Sequence, residues 1–95
     1  MRYFVYVLRC RNGAYYTGYT RNIERRMRQH MRGIGSRYVR THKPERIVYT
    51  EEFETRSQAM KREREIKQLS RAKKDEMVRA FLRKTSARRA SKRLN

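Results

Sequence analysis

Proline and cysteine each occur once in this chain, tryptophan not at all, and acidic residues number only 9 against 27 Lys and Arg. Each shortage excludes something. With Cys10 alone there is no intrachain disulfide and no thiolate metal cage, which suits a reducing cytoplasm. The apolar run from Tyr3 to Leu8 is followed at once by Arg9 and a turn, too short for a membrane span or a secretory h-region. We therefore expect a cytoplasmic protein that does not enter membranes.

The shortage of acid says most. A formal net charge of +18 on 95 residues is far more than solubility demands, and it calls for a polyanionic partner. Nucleic acid is the first candidate, because the basic residues run through an aromatic-containing pattern and not along one amphipathic helix. A ribosome-associated or generally RNA-binding role fits the composition equally well, so charge names a partner class and not a reaction; a further protein partner stays open. Hydrophobic residues make up 37% of the chain, enough for one domain with a small core. No internal repeat is visible.

Residues 3 to 9 are apolar on both alternating faces, the pattern of a central strand covered on two sides. Asn12-Gly13 marks a turn. A strict two-residue loop would put Tyr6 and Tyr16 on opposite faces, whereas a three-residue loop, Arg11-Asn12-Gly13 with Gly13 left-handed, pairs Cys10 with Ala14 and brings both tyrosines to one face. The second register is expected, with a second strand over about Ala14 to Tyr19 in which Gly18 leaves room for something to approach the backbone. Asn22 then caps a helix from Ile23 to about Arg32, with Ile23, Met27 and Met31 as its buried stripe and Gly33 as its stop. Arg26 and His30 share one shoulder of that stripe.

Residues 34 to 46 read as a basic, substrate-contacting connection with one helical turn around Tyr38 to His42. Ile47 to Phe53 is a third strand, with Glu51, Glu52 and Glu54 at its exit. Thr55 to Gln58 is a capping box opening a helix to about Leu69, whose apolar face is Ala59, Met60, Ile66 and Leu69. Glu63 lies inside that face; Glu65 does not. Ser70 caps a last helix carrying Met77, Val78, Phe81 and Leu82. The domain is expected over residues 1 to 82 and a disordered basic tail over 83 to 95.

A carboxylate on a core-facing stripe must be paired or bound to a cation, so Glu63 is either an arginine's buried partner or a ligand for a divalent ion, which needs only one or two protein carboxylates. Tyr6, Tyr16 and Tyr19 are either cross-strand packing or chemistry; a tyrosine hydroxyl, with a pKa of about 10, acts as a base near neutrality only if arginine or a metal stabilises its phenolate. Arg26 is a surface charge or a phosphate fork, and His30 a core-edge histidine or a proton carrier. His42 is unassigned.

Phe4-Val5-Tyr6, Tyr16-Thr17-Gly18, the following Glu24-Arg25-Arg26 with His30, and Glu63-Arg64-Glu65-Ile66-Lys67 resemble, in order and spacing, the motifs of the GIY-YIG nucleases, particularly their small stand-alone bacterial members. The similarity covers residues 1 to 82. Phe4 stands at the first motif's glycine and Thr17 at the second's isoleucine. The resemblance implies an α+β fold, a small three-stranded antiparallel sheet flanked by helices, and a phosphodiesterase using one divalent metal, Mg²⁺ or Mn²⁺. It also implies roles: Glu63 holding the metal, Tyr6 as general base or its partner, Tyr16 positioning water or phosphate, Arg26 clamping the scissile phosphate, and His30 assisting proton transfer or orienting Tyr6. Arg40 resembles a basic substrate contact. With it, Arg25, Arg28, Arg37 and Lys43 are the candidate nucleic-acid contacts. The activity expected is a metal-dependent DNA endonuclease in repair or processing. The alternatives are a non-catalytic nucleic-acid-binding module and an adaptor docking through an exposed Met77, Val78 and Phe81 patch.

Overall fold

A computed structural model describes residues 2–33 and 37–94. Strands β1 (Tyr3–Cys10), β2 (Tyr15–Thr20) and β3 (Pro44–Phe53) form one antiparallel sheet in the order β2-β1-β3, with helices α1 (Ile23–Met31), α2 (Arg37–His42), α3 (Arg56–Gln68) and α4 (Arg71–Leu94) around it. Among the described residues no helix is long and apolar enough to cross a membrane.

The central strand is apolar on both faces because both are covered. Val5 and Val7 pack with Ala59, Ile66 and Val78 of α3 and α4; Tyr6 and Leu8 pack with Val39 of α2 and Ile23 and Met27 of α1. Each fully buried Val, Leu or Ile there contributes about 1.5–3 kcal/mol. The hairpin takes the three-residue form. Cys10 N–H donates to Ala14 O at 2.8 Å, Gly13 N–H to Cys10 O at 2.9 Å, and Gly13 has φ +87°.

β3 starts at Pro44, three residues before the expected Ile47. Two register shifts accommodate it: Val48 is unopposed between the Val7–Tyr49 and Leu8–Ile47 pairs, and Glu45 between the Arg9–Arg46 and Cys10–Pro44 pairs. Proline is tolerated there because it opens an edge strand. The first shift lets Val48 and Tyr49 both reach the α3/α4 side while Ile47 serves the other.

Asn22 caps α1 by accepting from Arg25 N–H, and Thr55 with Gln58 forms the complete capping box of α3. Two methionines depart from expectation. Met31 is 57% exposed and Met60 39%, while His30 is 1% exposed. A stripe drawn by apolarity overlooks a histidine whose ring finds a hydrogen-bond partner inside.

Glu51, near the exit of β3, is engaged by two partners. It accepts from Tyr49 Oη at 2.6 Å and Arg62 Nε at 3.0 Å, tying α3 to β3. Val78, Met77 and Leu82 join the core and the Phe81 ring lies 5.4 Å from Tyr49, so the patch that would favour an adaptor is packed inward. At residue 83 the backbone does not break: α4 continues to Leu94, and what ends at Leu82 is the described core. Arginine, lysine and alanine are strong helix formers, so a turn nucleated by core packing carries on through them.

Candidate active site

The hairpin register sets the site. Tyr6 pairs with Gly18 and Leu8 with Tyr16, so Tyr6 and Tyr16 share a face with ring centroids 6.3 Å apart. α1 starts three residues after Thr20, the end of β2, and lays His30 against both: its ring is 5.9 Å from Tyr6 and 5.5 Å, edge-on, from Tyr16. The Tyr6 hydroxyl and His30 Nε2 are 2.9 Å apart.

Gly18 does make room for a close approach, and what approaches is Tyr6. A Cβ on Gly18 would lie 2.7 Å from the Tyr6 hydroxyl oxygen and 2.9 Å from its Cζ. The ring is 2% exposed and has nowhere to go. Gly18→Ala is therefore expected to destabilise the fold by about 1–3 kcal/mol and to pull Tyr6 from His30. Thermal unfolding checks this. Adding Tyr6→Phe removes only the clash with the hydroxyl oxygen, so recovery should be incomplete; a Gly18→Ala midpoint equal to wild type would contradict the packing.

Tyr6, Tyr16, Arg25, Arg26 and Glu63 line one cleft of about 670 Å³. Burial pushes the Tyr6 hydroxyl well above its ordinary range, Tyr16 and Glu63 add to this, and Arg26 opposes it without prevailing. Tyr6 is thus neutral at neutral pH, and Arg26 does not stabilise a phenolate at rest. Burial lowers the His30 pKa from 6.5, with Arg26 acting in the same direction, so His30 is neutral too. Its Nδ1 and the Nε of Arg26 are buried without a hydrogen-bond partner.

The Glu63 side chain is 17% exposed and accepts from Lys67 Nζ at 3.2 Å, a lysine 53% exposed and so able to withdraw into solvent. Among the described residues no cluster of three or more His, Cys, Asp or Glu side chains exists. An ion here would rest on one protein carboxylate, with water and substrate oxygens completing its shell. That donor set fits Mg²⁺ or Mn²⁺ and not a dedicated protein cage.

The other expected contacts disperse. Arg28 lines a different groove with Met27, Met31 and Ile47, Arg37 is exposed on α2, Lys43 lines a second cleft with His30, and the Arg40 side chain lies outside the described residues. Sequence reasoning missed Arg21 and Arg56, which line the same cleft as Tyr6 and Glu63, together with Tyr3 and Tyr19. Each guanidinium lies over a ring, Arg21 over Tyr3 at 5.6 Å and Arg56 over Tyr19 at 5.9 Å. Alternation along β1 and β2 puts Tyr3 and Tyr19 on one face, which was the available signal.

The family model for the GIY-YIG catalytic domain matches residues 2–76. A UPF0213 protein of Natronomonas pharaonis is 51% identical, over 80% of this chain and 89% of its own. One from Staphylococcus saprophyticus is 42% identical over 81% and 94%. Among solved structures, the solution structure of a UPF0213 protein from Bacillus halodurans matches with TM-score 0.55 and 42% identity, covering 84% of this chain and 85% of that one. A protein from E. faecalis matches with TM-score 0.59 and 38% identity, over 85% and 86%.

Proposed function

This chain belongs to the GIY-YIG catalytic-domain family, and on that premise we propose that it is a divalent-metal-dependent endonuclease, cutting DNA in preference to RNA by attack of water on a phosphodiester, in repair or processing. The observation carrying the reading is the convergence of Tyr6, Tyr16, Arg26 and Glu63 on one cleft, with His30 bonded to Tyr6 from behind its wall.

The residues divide the work by chemistry. A neutral His30 whose Nδ1 carries the proton offers the Nε2 lone pair to the Tyr6 O–H. Tyr6 can then take a proton from the attacking water as it passes its own to Nε2, which needs no resting phenolate. Arg26 lines the cleft, and its guanidinium is the forked donor suited to a non-bridging phosphate oxygen and its developing charge. Tyr16 packs on both rings of the relay and holds their geometry. A divalent ion at Glu63 would supply further electrostatic stabilisation of the phosphate.

The test is cleavage of labelled single-stranded, duplex and branched DNA, and of RNA, with Mg²⁺, Mn²⁺ or chelator across pH. We expect cutting only with metal, best on one DNA form. Because His30 must be neutral to accept and its pKa is lowered from 6.5, the acid limb of the rate should lie below pH 6.5. Tight binding without cutting of any substrate would make the protein a binding module instead.

A further inference from the structure

His30 also lines a second cleft, of about 450 Å³, whose charged residues are Arg11, Arg32 and Lys43. No acidic residue lines it. None of the three cations has a side-chain hydrogen bond or ion pair among the described residues, and the nearby carboxylate of Glu45 faces Arg9 and Arg46 instead. Arg11 opens the hairpin loop, Lys43 precedes β3 and Arg32 caps α1. Backbone pairing brings the first two together, with Arg11 N–H donating to Lys43 O at 2.8 Å.

Lys43 sits at φ +58°, a conformation glycine would adopt at far lower cost. The helix end argues the other way, since α1 presents about half a negative charge there. Two of its last carbonyls are already engaged, Arg28 O by Arg32 N–H and His30 O by Gly33 N–H, and three full positive charges outweigh the remainder. A chain of net charge +18 has many unpaired surface cations. What sets these apart is that they converge on a concavity walled by a buried histidine with an unpartnered Nδ1.

We propose that Arg11, Arg32 and Lys43 form a second phosphate-binding cleft, partitioned from the first by the Tyr6–His30 pair, that holds a phosphodiester of the nucleic-acid substrate other than the scissile one. The proposal rests on nucleic acid being the substrate and not on its being cut. Substrate would therefore touch both sides of the partition, and binding would bring counter-charge to both sides of His30.

The test is binding of fluorescent single-stranded and duplex DNA, measured by anisotropy in chelator over a salt series, so that cleavage does not enter. Arg11→Ala/Arg32→Ala is expected to weaken binding by about two- to fivefold per arginine, and to make the plot of log affinity against log salt shallower by roughly 0.7–0.9 for each phosphate no longer neutralised. Lys43→Gly guards against misfolding. It should weaken binding similarly while its thermal midpoint stays level or rises, because the strained conformation is relieved. Lys61→Ala/Arg64→Ala removes the same net charge from exposed positions on α3 and should change binding less. Unchanged affinity in the cleft variants, or an equal loss in the α3 variant, would overturn the proposal.

Discussion

Glu63→Gln is expected to slow metal-dependent cleavage by on the order of 10³-fold while leaving affinity for uncut DNA within about twofold of wild type. Glutamine keeps the size and shape of the side chain beside Ala59 and Ile66, so the α3 face should pack as before. What it lacks is the formal charge that would hold the ion. The substitution leaves the half-exposed Lys67 without its i,i+4 partner, an ion pair worth only about 0.3–0.5 kcal/mol. Removing a negative charge from the cleft should, if anything, favour polyanion binding, so a slower rate could not be put down to a failure to bind. Single-turnover cleavage with metal and anisotropy in chelator separate the two quantities. A rate unaffected by the substitution would detach the metal from Glu63.

Arg26→Ala should lower the cleavage rate by about 10²–10³-fold without lowering the thermal midpoint. Most arginines removed from a cleft wall take hydrogen bonds with them. This one has a buried Nε with no partner, so in the free protein that N–H carries a desolvation cost that no hydrogen bond offsets, and the fold loses nothing by its removal. Arg26→Lys should restore little, because an ammonium does not present two parallel donors. The variant has a second signature. Arg26 helps to depress the His30 pKa, so the acid limb of the residual rate should move to higher pH. A large fall in thermal midpoint would show instead that Arg26 holds the fold.

The features legible in the sequence were those governed by local rules. Loop arithmetic at Asn12-Gly13 yielded the register that puts Tyr6 beside Tyr16, and Thr55 with Gln58 marked the start of α3. Features decided by tertiary partners were read less well. Met31 and Met60 were assigned to buried stripes because they are apolar, yet His30 took the inner position on α1 because the Tyr6 hydroxyl satisfies its ring. The β3 shifts were invisible, since nothing local announces an unopposed residue. The state of Tyr6 was left conditional on an arginine or a metal stabilising its phenolate, and only the extent of burial showed that Arg26 does not prevail. Gly18 was singled out as room for something to approach the backbone, and the atoms it admits belong to the Tyr6 ring, which only the tertiary packing could name.

The central position of β1 bears on when the site comes into being. Its hairpin partner β2 follows within a few residues, but its other neighbour, β3, and the helix carrying Glu63 lie far along the chain. As the protein emerges from synthesis, N-terminus first, tyrosines, histidine and arginine come out ahead of the carboxylate. On the proposed reading, a fragment ending before α3 carries the residues of the proton relay and the phosphate fork but no ligand for the ion. On that reading the carboxylate for the ion is the last part of the site to be made, and the cleft is completed only when α3 has been built.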